Sequence, residues 1–272
     1  MDDIARYNIA RWSALVDAGA VFTRPALDLD PHSAQAMIDP DGRLGTIAGK
    51  RALCLACGGG QQSMAFAVLG ARVTVFDLSN AQLGIDRVAA QQVSVAIETV
   101  QGDMRDLGQF EESSFDIVYH AYSLSFVPNA GDVFAQVARV LRHGGVYYFN
   151  CANPFSLGLT AQDWNGAGYT LKHPYIQGAE MRTEDQAWVY GSGARDAPLP
   201  PPREFRHTLS ALVGGLVQHG FVILHISDDT DVTPDLDAEP GSWSHLTAFA
   251  PPWLAFWAYL AHPASPDRTA RR

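Results

Sequence analysis

Lysine is nearly missing from this chain: Lys50 and Lys172 are the only two in 272 residues. Acids number 29 against 19 lysines and arginines, so the formal net charge is −10. No basic run occurs before the arginines of 268–272, which read as a solvated end. A nucleic-acid partner needs a basic footprint for its phosphates, so this balance argues against one. Cysteine is equally scarce, with Cys54, Cys57 and Cys151 alone. An odd, small number without a secretory leader excludes a disulfide framework and points to a reduced, cytoplasmic protein. Cys54 and Cys57 form a lone C-x-x-C with no second ligand pair. They read as small thiols packed near a turn, and no metal is expected. Long apolar runs are also lacking: the longest, 248–261, is too short for a bilayer and holds Pro251 and Pro252, so no membrane partner is expected. No repeat or low-complexity tract is present.

What the chain does have is apolar bulk, 47% of its residues, enough for a large core. Residues 2–18 carry Ile4, Tyr7, Ile9, Trp12, Leu15 and Val16 at roughly helical spacing, with Gly19 as a stop. Residues 23–41, rich in proline, aspartate and histidine, read as an irregular lead-in. Short apolar strands and helices then alternate: strand 51–55, helix 61–69, strand 72–76, helix 80–91, strand 94–100, strand 115–119, helix 132–141, a turn at Gly144-Gly145, and strand 146–151. Strands alternating with helices predict a parallel sheet covered on both faces. The rhythm breaks over 153–202, where short strands are expected near 169–172 and 187–190. A segment this long inside a compact domain is usually functional. Regularity returns with helix 205–219, strand 221–226 and a last strand at 242–250. The expected organisation is an N-terminal lid and lead-in (1–46), a cofactor-binding core (47–152), an inserted cap and substrate region (153–204), the remainder of the core (205–250), and a C-terminal segment and tail (251–272).

The strand 51–55 closes on Ala56-Cys57-Gly58-Gly59-Gly60-Gln61-Gln62, and the next strand closes on Asp77. A glycine turn lets a ligand approach the backbone, which side chains would block. A carboxylate one strand further on suits a ribose, because its two oxygens accept from two neighbouring hydroxyls. A nucleoside-bearing cofactor is therefore expected. The dinucleotide fingerprint G-x-G-x-x-G is incomplete, since Ser63 stands at its third glycine, and no Gly-Lys-Ser/Thr ending marks a phosphate loop. Gly102-Asp103-Met104 follows the third strand, where Asp103 suits an exocyclic amine and Met104 an adenine face. The fourth strand leads into His120-Ala121-Tyr122.

This ordered series resembles the class I S-adenosylmethionine-dependent methyltransferases of small-molecule type, well over 47–152 and loosely over 205–250. Two departures stand out: Cys54 replaces the usual acid of the first motif, and Ala56 replaces its first glycine, where an extended conformation is expected. The resemblance implies a doubly wound, Rossmann-like α/β fold. Its seven-stranded sheet is mostly parallel with the last strand antiparallel, under an N-terminal helical lid and an inserted cap. It implies S-adenosylmethionine as cofactor and methyl transfer to a small-molecule acceptor by in-line displacement. Ala56, Cys57, Gly58, Gly60, Gln61, Gln62, Asp77, Leu78, Gln82, Asp103, Met104 and His120 are the expected cofactor contacts. Tyr7 and Trp12 join them from the lid, and Arg24 as a carboxylate partner. Asp28, Asp30 or backbone carbonyls stand in for the missing acid.

His120 and Tyr122, at the carboxyl edge of the sheet, are the candidate catalytic residues. Tyr122, Asn153, His173 and Tyr175 are candidate substrate contacts. The aromatics Trp164, Tyr169, Tyr175, Trp188, Trp243, Trp253 and Trp257 divide between acceptor walls and plain covering. Asn153-Pro154-Phe155 reads as a turn. The competing functions are a nicotinamide-dependent oxidoreductase, a non-catalytic S-adenosylmethionine-binding protein, and a methyltransferase acting on a macromolecule.

Overall fold

In a computed structural model, residues 1–182, 199–228 and 232–261 are described. Helix α1 (Asp3–Asp17) begins where the Asp2 side chain accepts the Ala5 N–H, and α2 (Pro31–Ile38) begins on a capping box from Asp30 and Ser33. The lead-in expected over 23–41 as irregular thus contains a helix, started by a capping acid and a proline in the first turn. The alternating core follows: β1 (Arg51–Leu55), α3 (Gln62–Val68), β2 (Arg72–Asp77), α4 (Asn80–Gln92), β3 (Ile97–Gln101), β4 (Phe115–His120), α5 (Ala130–Val140) and β5 (Leu141–Ala152). Beyond it lie β6 (Glu180–Arg182), β7 (Arg203–Phe205), α6 (Leu209–Gln218), β8 (Phe221–Ser227), α7 (Trp243–Phe249) and β9 (Trp253–Leu260).

The seven-stranded sheet has the order β3-β2-β1-β4-β5-β9-β8. Its strands run parallel except β9, which is antiparallel to both β5 and β8. β4 is buried at every residue, as a central strand covered on both faces must be. One apolar layer lies between the sheet and α5 with α6, around Phe134, Tyr147, Phe149 and Leu216. The other holds Ala34, Ile38, Phe66 and Leu83 against Cys54, Ile117 and Tyr148.

Five expectations give way here. The segment 242–250 is a helix, α7, because the Ser242 hydroxyl accepts the His245 N–H and caps a turn. The antiparallel strand is instead Trp253–Leu260, in the segment expected as a tail. Its near-continuous burial reflects cover on both faces, which hides the alternation that marks a half-exposed strand. Phe205, the start of the expected helix 205–219, ends β7, and the helix begins at Leu209 on a Thr208 cap. The expected turn at Gly144-Gly145 lies inside β5, where the register with β4 shifts between Phe115 and Ile117. In the cap, Tyr169 forms only an isolated bridge with Trp164. The strand expected at 187–190 and Trp188 lie outside the described residues. β6 and β7 pair as a separate two-stranded sheet.

Candidate active site

At the carboxyl ends of β1, β2 and β4, under α1 and beside the cap, lies a cavity of about 1110 Å³. Single-ligand sites run to roughly 1,000 Å³, so there is room here for two small molecules side by side. One half is built on the glycine turn. Asp77, at the end of β2, is 8% exposed and faces the cavity. It accepts the Gly58 N–H on Oδ2 at 2.9 Å and the Ser79 N–H on Oδ1 at 2.8 Å. Burial pushes its carboxyl above the ordinary value, against the pull of those N–H groups. Gly58 has to be a glycine: a Cβ there would meet Gln82 Cβ at 2.7 Å and Asp77 Oδ2 at 3.1 Å. Ala56 departs from expectation. Its φ is 48°, in the left-handed region, where an alanine stores about 1–2 kcal/mol of strain.

The turn is held from below by Asp86 of α4, which is fully buried. Its carboxylate accepts the Gly59 N–H at 2.7 Å, the Gly60 N–H at 3.1 Å and the Ser63 hydroxyl at 2.5 Å. The sequence reading missed this residue, although Asp86 sits on the buried stripe of α4 with Leu83 and Ala90, where a carboxylate needs a reason. Gln61 turns back to donate to the Phe22 and Arg24 carbonyls at 3.2 and 3.1 Å. Ala56, Cys57, Gly58, Gln61, Gln62, Leu78, Gln82, Asp103 and Met104 all line the cavity; Gly60 does not, being packed on Pro25 and Ala89. Asp103 is not free-standing: Arg105 reaches both its oxygens, at 2.9 and 2.5 Å, and also grips Asp2 at 2.7 and 3.1 Å. This bridge ties the start of α1 to the end of β3, and Asp2 is held well below the usual carboxylate range by it.

The lid contributes Ile4, Ala5, Asn8, Arg11 and Trp12 to the cavity wall, one helical face. Trp12 sets its edge against Phe22 and Phe126, centroids 5.6 and 5.8 Å away. Tyr7 points elsewhere: its hydroxyl donates to the Pro201 carbonyl and Arg203 covers its ring. Arg24 is exposed and donates to the Gly19 carbonyl, outside the cavity. The buried cation of this helix is Arg11, 3% exposed, which no motif in the sequence marks. Asp28 and Asp30 are exposed, and Asp30 is spent on capping α2.

His120 does not reach the cavity. It is fully buried, with Nδ1 against the Tyr147 hydroxyl at 3.0 Å and Nε2 against the Ser123 hydroxyl at 2.6 Å. Burial pulls its pKa down to about 3, so it stays neutral and sealed behind β4, and neither the base role nor the cofactor contact survives. The unfolded chain protonates this imidazole near pH 6.5 and the folded one does not, so stability is lost as pH falls below that value. The stability advantage of the wild type over His120→Gln should shrink by roughly 1.5 kcal/mol between pH 6.5 and pH 5, read from urea melts at both values.

Tyr122 does line the cavity, and its hydroxyl donates to Glu204 Oε1 at 2.5 Å. Glu204, on β7, lines the same wall and lies near the Arg11 guanidinium. It was missed because 82 residues separate it from Tyr122 and no local pattern marks it. Of the substrate candidates, His173 lines the cavity. Asn153 instead ties the turn after β5 by donating to the Pro251 carbonyl, and Tyr175 stacks on Phe155 while accepting the Leu209 N–H. The half of the cavity beyond Tyr122 is walled mainly by Phe126, Leu157, Leu159, Met181, Leu246, Trp243 and Trp253, with Thr160, Asp163, Lys172 and Arg182 adding polar groups. Trp164, Tyr169 and Trp257 serve as covering. Among the described residues no group of three or more His, Cys, Asp or Glu is placed to hold a metal, and no helix is long and apolar enough to cross a membrane.

Residues 53–149 match a family model described as a methyltransferase domain. An uncharacterized methyltransferase of Bacillus subtilis, YbaJ, is 32% identical over 186 residues, 67% of this chain and 70% of that protein. A ubiquinone biosynthesis O-methyltransferase of Nitrosococcus oceani is 33% identical over 147 residues, 51% of this chain; the aligned part spans only 62% of that relative's length. Among solved structures, an S-adenosylmethionine-dependent methyltransferase from Mesorhizobium loti superposes with a TM-score of 0.59 at 21% identity, covering 86% of this chain and 100% of its own. One from Clostridium acetobutylicum gives 0.57 at 13% identity, covering 86% and 94%. At these identities the structural likeness concerns the fold.

Proposed function

The chain belongs to the class I S-adenosylmethionine-dependent methyltransferases, and we propose that within this family it methylates a small molecule with an apolar body. The observation that carries this reading is the apolar half of the cavity, opening beyond Tyr122 and large enough for a second molecule. The ubiquinone O-methyltransferase relative acts, by its name, on a small molecule and supports the same reading. The net charge of −10 disfavours a nucleic-acid acceptor. The nicotinamide alternative falls away with the family. The unpaired thiols Cys54, Cys57 and Cys151 support a reaction in the cytoplasm.

The residues of the glycine-turn half fit the donor. Asp77 offers a carboxylate for the ribose hydroxyls. Gln82 Oε1, buried and without a hydrogen-bond partner among the described residues, offers an acceptor beside it. The missing Cβ at Gly58 keeps the space between them open. Met104 suits the adenine face, and Arg11 replaces Arg24 as the partner for the donor carboxylate. For the donor ammonium, backbone carbonyls remain. When bound, S-adenosylmethionine supplies a methyl group on a cationic sulfur, already activated for displacement. The protein's task is then alignment and exclusion of water. Holding a nucleophile in line contributes on the order of 7–11 kcal/mol, and α1 with Trp12 covers one wall of the site.

The test uses methyl-tritiated donor with 4-octylphenol, 4-octylaniline and 4-octylthiophenol, alongside RNA and protein from a cell extract. Label is expected in the extractable apolar acceptors and not in acid-precipitable material. Label confined to the precipitate would establish a macromolecular acceptor instead. Absence of S-adenosylhomocysteine binding by calorimetry would leave a scaffold without a donor site.

A further inference from the structure

Buried carboxylates need a partner or a task. Glu204 is 9% exposed, stands in the cavity wall beside Tyr122 and Arg11, and accepts one hydrogen bond, from Tyr122. No second hydrogen bond reaches it among the described residues; Arg11 is near enough to act through its charge. The phenol therefore fixes one oxygen and leaves the carboxylate's remaining acceptor capacity facing the cavity. Of the other buried carboxylates in the cavity wall, Asp77 belongs to the glycine turn and Asp163 is paired with Lys172, while His120 is sealed behind β4.

Resting on the proposed small-molecule reading, we infer that Glu204, held by Tyr122, is the catalytic proton acceptor and that the acceptor molecule is an apolar compound bearing a hydroxyl that is protonated at neutral pH. A lone pair of that oxygen forms the new O–CH₃ bond while the S–CH₃ bond breaks, its electron pair staying on sulfur. The O–H proton moves to Glu204, so the positive charge of the sulfonium and the negative charge of the carboxylate vanish together. A base matters for a hydroxyl and hardly at all for a group already ionised. Burial raises the Glu204 pKa, while the Tyr122 hydrogen bond and the Arg11 charge lower it. The other titratable groups around the pair are Cys151 beside Tyr122 and Tyr7 beside Arg11, with Arg203 over the Tyr7 ring.

The experiment measures kcat/KM for 4-octylphenol and for 4-octylthiophenol, the latter ionised near neutrality, in wild type, Glu204→Gln and Tyr122→Phe, together with S-adenosylhomocysteine affinity. Glu204→Gln should bind the donor product and lose about 100-fold more rate on the phenol than on the thiophenol, the range of a lost proton acceptor. The wild-type phenol profile should rise with pH through one ionisation, absent from Glu204→Gln. In Tyr122→Phe that limb should move to higher pH, because the hydrogen bond that lowers the carboxyl pKa is gone. Equal losses on both acceptors would reduce Glu204 to a structural part and overturn the inference, as would a wild type that methylates the thiophenol and not the phenol. A wild type that binds S-adenosylhomocysteine yet methylates neither overturns the apolar-acceptor reading and this inference with it.

Discussion

Asp77→Asn should weaken S-adenosylhomocysteine binding by about 100-fold or more while the protein stays folded. The site explains both halves of that result. Asp77 closes a strand whose last five residues are buried, so its carboxylate cannot swing to solvent. Each oxygen already accepts one backbone N–H, from Gly58 or Ser79, and each retains capacity for one ribose hydroxyl. Hydrogen bonds to a buried charged acceptor are worth about 1.5–3 kcal/mol apiece. The asparagine NH₂ must face one of the two backbone donors, N–H against N–H, and at that end it accepts no hydroxyl. A loss near 3 kcal/mol is about two decades in Kd. Stability is spared because burial already disfavours the charge at this position, as the raised pKa of Asp77 records, and the amide removes that penalty while it strains the turn. Calorimetric titration with thermal melting of the same samples checks it. An affinity within threefold of wild type would remove the ribose from Asp77.

The parts of this molecule that were legible in sequence are those with local causes. The strand–turn–helix alternation from Arg51 to Ala152, the glycine turn and Asp77 follow from periodicity and from what a backbone must do near a ligand. Ser242–His245 misled because a capped short helix and a short strand share the same apolar content; only the capping serine, weighed against the run after Pro252, separates them. His120 misled because position at the carboxyl edge says nothing about which face of β4 a side chain takes. Glu204 and Arg11 were invisible because their meaning is relational: a helix at the chain's start and a strand two hundred residues later meet on one wall. Asp103 was legible as a residue but not as half of a bridge, since Arg105, two positions on, gives no sign that it also holds Asp2.

Replacing Asp86 should be the most damaging single change to the fold. Asp86→Ala strands three buried donors, the Gly59 and Gly60 N–H groups and the Ser63 hydroxyl. At about 1–3 kcal/mol each the loss is roughly 3–9 kcal/mol, against a total stability of about 5–15 for a domain. Asp86→Asn is milder and more informative. Burial pushes the Asp86 carboxyl up to about 6, with neighbouring Asp77 adding to it. Between pH 3.8, where the unfolded chain titrates, and about 6, the folded chain holds the extra proton, so this group makes stability fall as pH rises. His120 has the opposite sign over the same interval, because the folded chain there holds the smaller number of protons. The two slopes, each up to about 1.4 kcal/mol per pH unit, oppose one another in the wild type. Asp86→Asn removes one and leaves the other, so acidifying from pH 6 to pH 4 should lower its melting temperature more steeply than that of the wild type. Parallel melting curves for the two proteins across that interval would mean that Asp86 is already ionised in the folded state, and that the glycine turn rests on a charge rather than on a shared proton.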